Sequence, residues 1–439
     1  MQKKQLAGLL LGAACALSVK GQKVNFSEYD LPNGLHVILH QDNSVPVVAV
    51  TVFYHVGSKD EDSTRTGFAH FFEHLLFEGT DNIKRGEWSK IVSSNGGLDN
   101  ATTSQDRTFY YEEFPSNQVE LGLWMESERM LHPVINDTGV KTQNEVVKEE
   151  KRQRLDNQPY GHFLEEIFKR LFTVHPYRWQ PIGSMAHLDA AKLDEFKAFF
   201  KKYYVPNNAV LSIAGDIDLE QTQKWIAYYF SDIPRGETIV KTQYVEPPIT
   251  HEIIDTAYDA NIQIPGIMAA YRIAGLSSPD TKVLGMITSY LSNGGSSKLY
   301  KKMVDEKKNA LQVGAFNFAL EDYGAYITYA LPNNGASLND LLKDIDEEVA
   351  KIQKDLISEQ DFQKLQNQFE NSYVSSNTRK LGIAENLSDG YIYYGKNTNH
   401  INEELKENRT VTREQIREVA RKYLNRNQRV VLYYLPKAK

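Results

Sequence analysis

The pentapeptide H-F-F-E-H at 70–74 constrains this chain most, and it lies in a stretch, 68–78, that has no proline or glycine. Such a stretch is predicted to be helical, and residues three and four apart share one face of a helix. His70, Glu73 and His74 therefore project from the same side. Two imidazoles one turn apart can bind Zn²⁺ at about 2 Å each, and the carboxylate between them can take a proton from a water molecule at the metal. On the pentapeptide alone, a chance meeting of two histidines and a glutamate remains an alternative.

Composition narrows the class of protein. The chain has 439 residues, of which 41% are hydrophobic and 24% charged, with a formal net charge of -7. These values are typical of a globular protein with two or three domains. No long basic block is present, which argues against a nucleic-acid partner. After the N-terminal segment, no stretch is apolar and long enough to predict a membrane-spanning helix.

The first residues, 1–21, are predicted to form a secretory signal peptide. Lys3 and Lys4 precede a short apolar run, 6–17, and small or polar residues follow. We therefore expect export, with the periplasm as the expected compartment, although this segment does not separate periplasm, surface and medium. The only cysteine, Cys15, lies here. Lipoprotein acylation of Cys15 is the alternative, but the leucine usual three positions upstream is missing. Without Cys15 the mature chain has no disulfide.

The order of predicted strands and helices is similar in two halves, 22–233 and 249–439. Alternating apolar residues and turn residues predict the strands, and apolar residues at helical spacing predict the helices. The polar segment between the halves, 234–248, carries three prolines and is predicted to be a linker. The expected fold class is α+β, and the repeated order indicates an ancient duplication.

A zinc site needs a third protein ligand and an open position for water. A long charged helix is predicted over 138–155, and it offers three carboxylates as candidates, Glu145, Glu149 and Glu150. Their positions alone do not decide among them.

At this point the chain resembles the pitrilysin, insulysin and mitochondrial processing peptidase family, the inverzincins, in the form of its short zinc-bearing subunits. The resemblance rests on the inverted motif at 70–74, on the segment 143–150 and on further matches along the first half. These matches include Asn33-Gly34-Leu35, Asn95-Gly96-Gly97, Asn100-Ala101, Asp106-Arg107-Thr108 and His175-Pro176-Tyr177. The fold that it implies is two homologous α/β-sandwich domains, each a mainly antiparallel sheet packed against helices.

The resemblance also implies the site. In the family the third ligand is a glutamate about 76 residues after the second histidine, and here Glu150 lies 76 residues after His74. Zn²⁺ would then be held by His70, His74 and Glu150, with Glu73 as the general base of a zinc metalloendopeptidase. The alternatives are that Glu149, one residue away, is the ligand, or that Glu150 is only a solvated carboxylate.

Three further positions take expectations from the family. Gln143 lies two turns before Glu150 on the same helical face, where many active members have a glutamate. We expect it to tune the site without abolishing metal binding, and a surface glutamine is the alternative. Asn100 and Ala101, on the predicted strand 98–104, correspond to an edge strand that pairs with an extended substrate peptide. An ordinary sheet edge is the alternative there.

The second half departs from the family. Active members have an Arg and a Tyr, seven residues apart, after a Gly-Gly-x-Ser-Ser loop, and these bind substrate and the oxyanion. The loop is present at 294–300, but the two positions fall on Asp305 and Gln312, and no arginine occurs between Arg272 and Arg379. This predicts a heterodimer whose homologous partner supplies the pair. The alternative functions are a non-catalytic peptide-binding or assembly subunit, and a zinc hydrolase with a non-peptide substrate.

Overall fold

The computed structural model describes residues 23–333 and 335–438. The predicted signal peptide, 1–21, with Cys15, lies outside these residues, and it stays a prediction. The described chain contains two mixed sheets with helices packed on them, so the predicted α+β fold of two related sandwiches is confirmed. No helix in the described ranges combines the length and apolar character needed to cross a membrane.

The first sheet has six strands in the order β1-β2-β6-β3-β5-β4. The strands are β1 Ser27–Asp30, β2 His36–Gln41, β3 Val47–Tyr54, β4 Leu98–Thr103, β5 Thr108–Pro115 and β6 Ala209–Gly215. Strand β3 lies inside the sheet, between β6 and β5. Its β-branched and aromatic residues suit this position and are nearly all buried. Strand β4 pairs antiparallel with β5 and forms one edge.

Eight α-helices accompany this sheet in the sequence. They are α1 Phe68–Leu75, α2 Trp88–Ser94, α3 Val119–Leu131, α4 Asp137–Lys151, α5 Phe163–Leu171, α6 Met185–Ala190, α7 Leu193–Tyr203 and α8 Leu219–Phe230. The charged helix predicted over 138–155 is α4 followed by a π-helical segment, Arg152–Asp156. The pentapeptide 70–74 lies within α1.

The second sheet has five strands in the order β7-β11-β8-β10-β9. The strands are β7 Ile253–Asp259, β8 Gly266–Ala274, β9 Ala310–Ala319, β10 Tyr323–Pro332 and β11 Arg429–Pro436. The helices are α9 Pro279–Ser292, α10 Leu338–Lys354, α11 Glu359–Ser376, α12 Lys380–Tyr393, α13 His400–Arg409 and α14 Arg413–Tyr423, with a π-helical segment at Tyr300–Glu306.

Five strands of each sheet correspond one to one. The pair β2 and β6 is parallel, as is the pair β7 and β11. In the first sheet, the pairs β6–β3, β3–β5 and β5–β4 are antiparallel. In the second sheet, the corresponding pairs β11–β8, β8–β10 and β10–β9 are also antiparallel. The repeated topology places β4 and β9 at equivalent edges.

Each half contributes one helix to the other half's sheet. Helix α5 packs its residues Ile167 and Phe168 into a core with Met268, Ala270 and Val430 of the second sheet. In return, α12 buries a set of apolar residues against the first sheet, namely Ile383, Ala384 and Leu387 against Phe53, Phe109 and Val210. The outer face of each sheet is therefore closed by a helix from the other half.

The predicted linker, 234–248, has no regular secondary structure but is held against the body of the protein. The buried carboxylate of Glu246 accepts hydrogen bonds from the backbone N–H groups of Thr173, Val174 and His175, at 2.9, 2.7 and 2.5 Å. This is a fixed connection rather than a flexible tether. The proposed division of the chain at these residues stays a prediction.

A buried lysine joins the two halves. Lys59 Nζ lies 3.0 Å from Asp106 Oδ1, 2.5 Å from Glu321 Oε2 and 3.3 Å from Asp322 Oδ2. The backbone N–H of Glu321 also donates to Asp106 Oδ2 at 2.9 Å. We call these four residues the junction cluster. It connects the loop before α1 to the β9–β10 turn.

Candidate metal centre

Helix α1 begins at a left-handed glycine. Gly67 has φ of 99°, a conformation that glycine adopts without steric cost. The carboxylate of Glu61, itself buried, accepts hydrogen bonds from the N–H groups of Gly67 and Ala69, both at 2.9 Å. Burial raises the pKa of Glu61, but an acceptor is favourable at this end in either form because the first N–H groups of a helix have no partner within the helix.

One face of α1 is fixed by aromatic packing against α7 and the residues after it. The rings of Phe68 and Phe196 stack with centroids 4.6 Å apart, and Phe72 lies 5.6 Å from Phe199 and 5.2 Å from Tyr204. Aromatic pairs at these separations add to the stabilisation from burial. The opposite side of α1 contacts α4 and β4.

The structure brings together the three residues that the sequence singled out as ligands. Glu150 Oε2, on α4, lies 3.5 Å from His70 Nε2 and 3.0 Å from His74 Nε2. One ligand atom from each of these residues lies within 4.8 Å of the others. Glu73 projects from the same helix between the two histidines. The charges of His74 and Glu150 act on the Glu73 carboxyl group, so Glu73 lies near these residues.

The protonation states of these groups suit a divalent metal. Burial, together with the neighbouring His74, lowers the pKa of His70 to about 4. Burial opposes ionisation of Glu150, but the two imidazoles and Arg154 lower its pKa overall. Neutral imidazole and ionised carboxylate are the forms that bind metal. Burial raises the pKa of Glu73.

The position of one buried oxygen also fits a metal. Glu150 Oε2 faces both imidazoles, 3.0 Å from His74 Nε2 and 3.5 Å from His70 Nε2. A buried carboxylate needs a partner for its charge, and a cation between this oxygen and the two imidazoles would be such a partner. Two histidines, one carboxylate and an open position form a donor set that Zn²⁺ uses in hydrolases.

The two alternative carboxylates on α4 point elsewhere. Glu149 bonds to Arg152 and Gln153 at the surface, both at 2.9 Å. Glu145 is exposed and pairs with Lys148. The position of Glu150 as the carboxylate that faces the imidazoles agrees with the family spacing.

The Gln143 side chain hydrogen-bonds to Glu78 and not to the candidate metal ligands. Its Nε2 donates to Glu78 Oε1 at 2.5 Å, and Glu78 is a buried carboxylate that also pairs with Arg85. A glutamate at 143 would place two carboxylates side by side in a buried position, which is unfavourable. The amide therefore suits a chain that already has Glu78.

A small cavity opens beside the metal ligands. Its volume is about 220 Å³, and its wall includes His70 and Glu150 as well as Thr103 at the end of β4. Leu164 and Ile182 form an apolar part of the wall. The cavity adjoins the end of the edge strand, so a chain that paired with β4 would pass the ligands.

The two residues of β4 that are predicted to meet substrate differ in their exposure to solvent. Asn100 is exposed, whereas the side chain of Ala101 is buried. The N–H of Ala101 donates to Asn100 Oδ1 at 2.9 Å instead of to β5. That N–H therefore faces the open edge and is available to a peptide once the Asn100 side chain moves aside.

A second group of possible metal ligands lies on α13. His400, Glu403 and Glu407 also bring ligand atoms within 4.8 Å. Both carboxylates, however, already have partners, since Glu403 accepts from two asparagine amides and Glu407 pairs with Lys282. This group is a satisfied polar surface and differs from the arrangement at Glu150, whose Oε2 faces two imidazoles.

In the second half, Asp305 and Gln312 do not have the chemistry needed to bind substrate and the oxyanion. Asp305 is exposed in the π-helical segment Tyr300–Glu306. Gln312 lies on the edge strand β9, where its Nε2 donates to Tyr329 Oη at 2.9 Å. A carboxylate and an amide there cannot do the work of a guanidinium and a phenol.

Comparison with known proteins identifies the family. Residues 36–179 match the family model described as Insulinase (Peptidase family M16), and residues 190–369 match the one described as Peptidase M16 inactive domain. The chain belongs to the M16 peptidase family. All four residues of the metal centre fall within the first match.

Several M16 relatives extend over nearly the whole chain. Zinc protease PqqE of Helicobacter pylori is 28% identical over 393 residues, which cover 88% of each chain. An uncharacterized zinc protease of Mycobacterium leprae is 26% identical over 90% of this chain and 88% of its own length. The crystal structure of a protease from Helicobacter pylori has a TM-score of 0.89 at 26% identity, covering 94% of this chain and 99% of that one.

The sequence did not predict the residues that hold α1 in place at the candidate metal centre. Glu61 caps α1, and Tyr110 Oη donates to the Phe72 carbonyl at 2.8 Å. Arg129 and Glu126, three apart on α3, are both wholly buried and paired at 3.0 Å. The opposite charges of Glu126 and Arg129, three residues apart on a predicted helix, were the signal that could have identified this pair.

Proposed function

We propose that this chain is a zinc metalloendopeptidase, the metal-bearing subunit of a two-subunit enzyme. The observation that carries the proposal is the convergence of His70, His74 and Glu150 around one position, with Glu73 beside it. Relatives over most of the chain are named zinc proteases, and this supports both the metal and the reaction class.

The protein groups divide the chemistry among them. His70, His74 and Glu150 would hold Zn²⁺, which when bound supplies Lewis acidity for a peptide carbonyl and for water. Glu73 takes the proton from the attacking water and then returns it to the leaving amine. Helix α1 holds Glu73 and both imidazoles in one rigid element, so base and ligands keep a fixed relation.

The substrate would bind as an added strand. The N–H of Ala101 faces the open edge of β4, and the cavity at Thr103 lies beside the ligands. A peptide paired with β4 gains backbone hydrogen bonds that do not depend on its sequence. Peptides or unfolded polypeptide segments are therefore the expected substrates.

A homologous partner would complete the site. The chain covers 47% of the periplasmic protease PqqL of Escherichia coli, with a TM-score of 0.76 at 17% identity, so one longer chain carries this fold over half its length. Asp305 and Gln312 leave the present chain without the oxyanion-binding pair. We place the Arg and Tyr on a second subunit, and we place the enzyme outside the cytoplasm, in the periplasm, on the composition of 1–21.

The test compares Glu73→Gln with Glu145→Gln in the presence of a homologous partner that carries Arg-x6-Tyr. Glu73→Gln is expected to keep zinc, measured by elemental analysis, and to lower peptide hydrolysis by about 10²–10⁴-fold. Glu145→Gln, an exposed residue on α4, should behave like wild type.

Two outcomes would overturn parts of the proposal. Hydrolysis of no peptide by wild type with its partner would favour a non-catalytic peptide-binding or assembly subunit. Full peptidase activity from the chain alone would remove the need for a partner.

A further inference from the structure

A wholly buried arginine lies behind the C-terminal end of α1. Arg129 projects from α3, with Nε 3.0 Å from Glu126 Oε1 and Nη2 3.0 Å from Glu112 Oε1. All three side chains are excluded from solvent. Burying such charges costs several kcal/mol per ion unless pairing is good. We call these three residues the Arg129 centre.

Aromatic rings surround the guanidinium. Its central carbon lies 3.9 Å from the ring centroid of Trp88, 4.3 Å from that of Tyr110 and 4.5 Å from that of Phe77. A planar cation among ring faces is held by cation–π attraction, which is strongest where water is absent. The rings and the two carboxylates together fix the plane of Arg129.

The Arg129 centre contacts α1 once directly and once through Tyr110. Arg129 Nη1 donates to the carbonyl of Leu76, the C-cap residue of α1, at 3.4 Å. Tyr110, whose ring lies against Arg129, donates its hydroxyl to the Phe72 carbonyl at 2.8 Å. These carbonyls bracket Glu73 and His74 in the chain. A positive charge at this end also suits the helix dipole.

Tyr110 connects this helix to the peptide edge. It lies on β5 directly opposite Ala101 of β4, the residue whose N–H faces outward. Its hydroxyl therefore contacts α1, and its backbone pairs with β4. These two elements must keep a fixed position relative to each other if a bound peptide is to reach the metal. Glu112 follows two residues later on the same strand and carries the other end of the ion pair.

We propose that Arg129 is a positioning residue that sets, through Tyr110, the place of the metal helix relative to the substrate edge strand. The inference rests on the proposed function, since it concerns where the metal ligands and Glu73 stand. A centre that served folding alone would affect stability and leave the geometry of the bound metal unchanged.

The test measures metal geometry, for which cobalt is the probe. The variant Tyr110→Phe keeps the ring against Arg129 and removes only the hydroxyl. Its matched control is Tyr373→Phe, because Tyr373 is also buried and also donates to a helix carbonyl, that of Ile401, at 2.7 Å in the other half. Arg129→Lys keeps the charge but loses the planar fork.

We expect Tyr110→Phe and Tyr373→Phe to lower the unfolding temperature by similar amounts. Only Tyr110→Phe should shift the visible absorption spectrum of the Co²⁺-loaded protein and weaken zinc binding, by about tenfold in chelator competition. Arg129→Lys should shift the spectrum in the same direction. With the partner subunit, both variants should lower kcat more than they raise KM.

The inference is overturned if Tyr110→Phe and Arg129→Lys have wild-type cobalt spectra and zinc affinity, or if Tyr373→Phe changes them equally. Failure of the proposed function gives a different result, because it appears in the wild-type protein itself, which would then bind neither metal or, with its partner, hydrolyse no peptide.

Discussion

The two halves of this protein share a topology but hold their equivalent helices by different means. Helix α1, between β3 and the β4–β5 hairpin, has 8 residues, and α9, between β8 and the β9–β10 hairpin, has 14. Glu61 accepts hydrogen bonds from backbone N–H groups at the start of α1, and Arg129 donates one to a backbone carbonyl at its end. Helix α9 has the side chain of Ser278 at its start and a row of buried apolar residues along its length.

The difference suits the task proposed for the first half, which is to hold metal ligands at fixed positions. Apolar burial fixes the depth of a helix but resists sliding along its axis only weakly, because dispersion contacts are non-directional and individually small. Hydrogen bonds and charges at both ends fix the axial position as well. The half that must hold two imidazoles and a base in register has such groups at both ends, and the half without ligands has packing.

The largest expected effect comes from removing the lysine of the junction cluster, which joins the two halves. Lys59→Met would leave the carboxylates of Asp106 and Glu321 without their cation, and we expect a loss of about 3–5 kcal/mol in the free energy of unfolding, measured by denaturant titration. Lys224→Met, which removes an exposed lysine paired with Glu220, should cost about 1 kcal/mol or less. Equal losses would contradict a structural role for the cluster.

The next effect tests the third ligand. Glu150→Gln should raise the dissociation constant for zinc by about 100-fold or more, since removal of an outer partner alone costs 10- to 100-fold. Glu149→Gln changes the same atoms one residue away and should leave zinc affinity at the wild-type value. The reverse result would move the metal centre to the other face of α4.

A smaller effect tests the edge strand. Ala101→Pro removes the outward N–H, a change that edge strands tolerate, and should lower kcat/KM for peptides by about fivefold to tenfold, the value of one hydrogen bond. Zinc content should not change. Asn100→Ala frees the same N–H and should not lower kcat/KM. If Ala101→Pro cleaves peptides normally, substrate binds elsewhere.

The smallest effect concerns acid stability. Burial opposes ionisation, but a hydrogen bond from His55 and the charge of Lys59 lower the pKa of Glu321 to about 2, and contacts with His175 and Lys59 lower that of Asp322 to about 2. The unfolded chain therefore binds more protons below about pH 4.5.

The stabilisation is thus complete above that pH and is lost as pH falls toward 2. Both carboxylates are partly exposed, so Glu321→Gln should remove about 1 kcal/mol of this pH dependence in denaturant titrations between pH 6 and 3. A wild-type pH profile in the variant would contradict the assignment.

The candidate metal ligands and the repeated order of strands and helices were within reach of the sequence because both leave local or family-wide marks. Two histidines and a glutamate on one helical turn are visible without alignment, and the spacing to Glu150 comes with the family. The Arg129 centre and the junction cluster were not predicted. Lys59 and Glu321 are 262 residues apart, and no periodicity links residues at that separation. The exchange of α5 and α12 was missed for the same reason, since the apolar residues of neither helix indicate which of the two sheets it covers.

The exchanged helices set the order in which the chain can finish folding. The first sheet is complete in strands once Gly215 has been made, but the residues that close its outer face come from α12, Lys380–Tyr393. Until then its apolar face has no cover. Because such late, long-range contacts slow folding and expose aggregation-prone surface, the first half cannot mature alone. The chain should reach its native state in one late step, after nearly all of it has been synthesised.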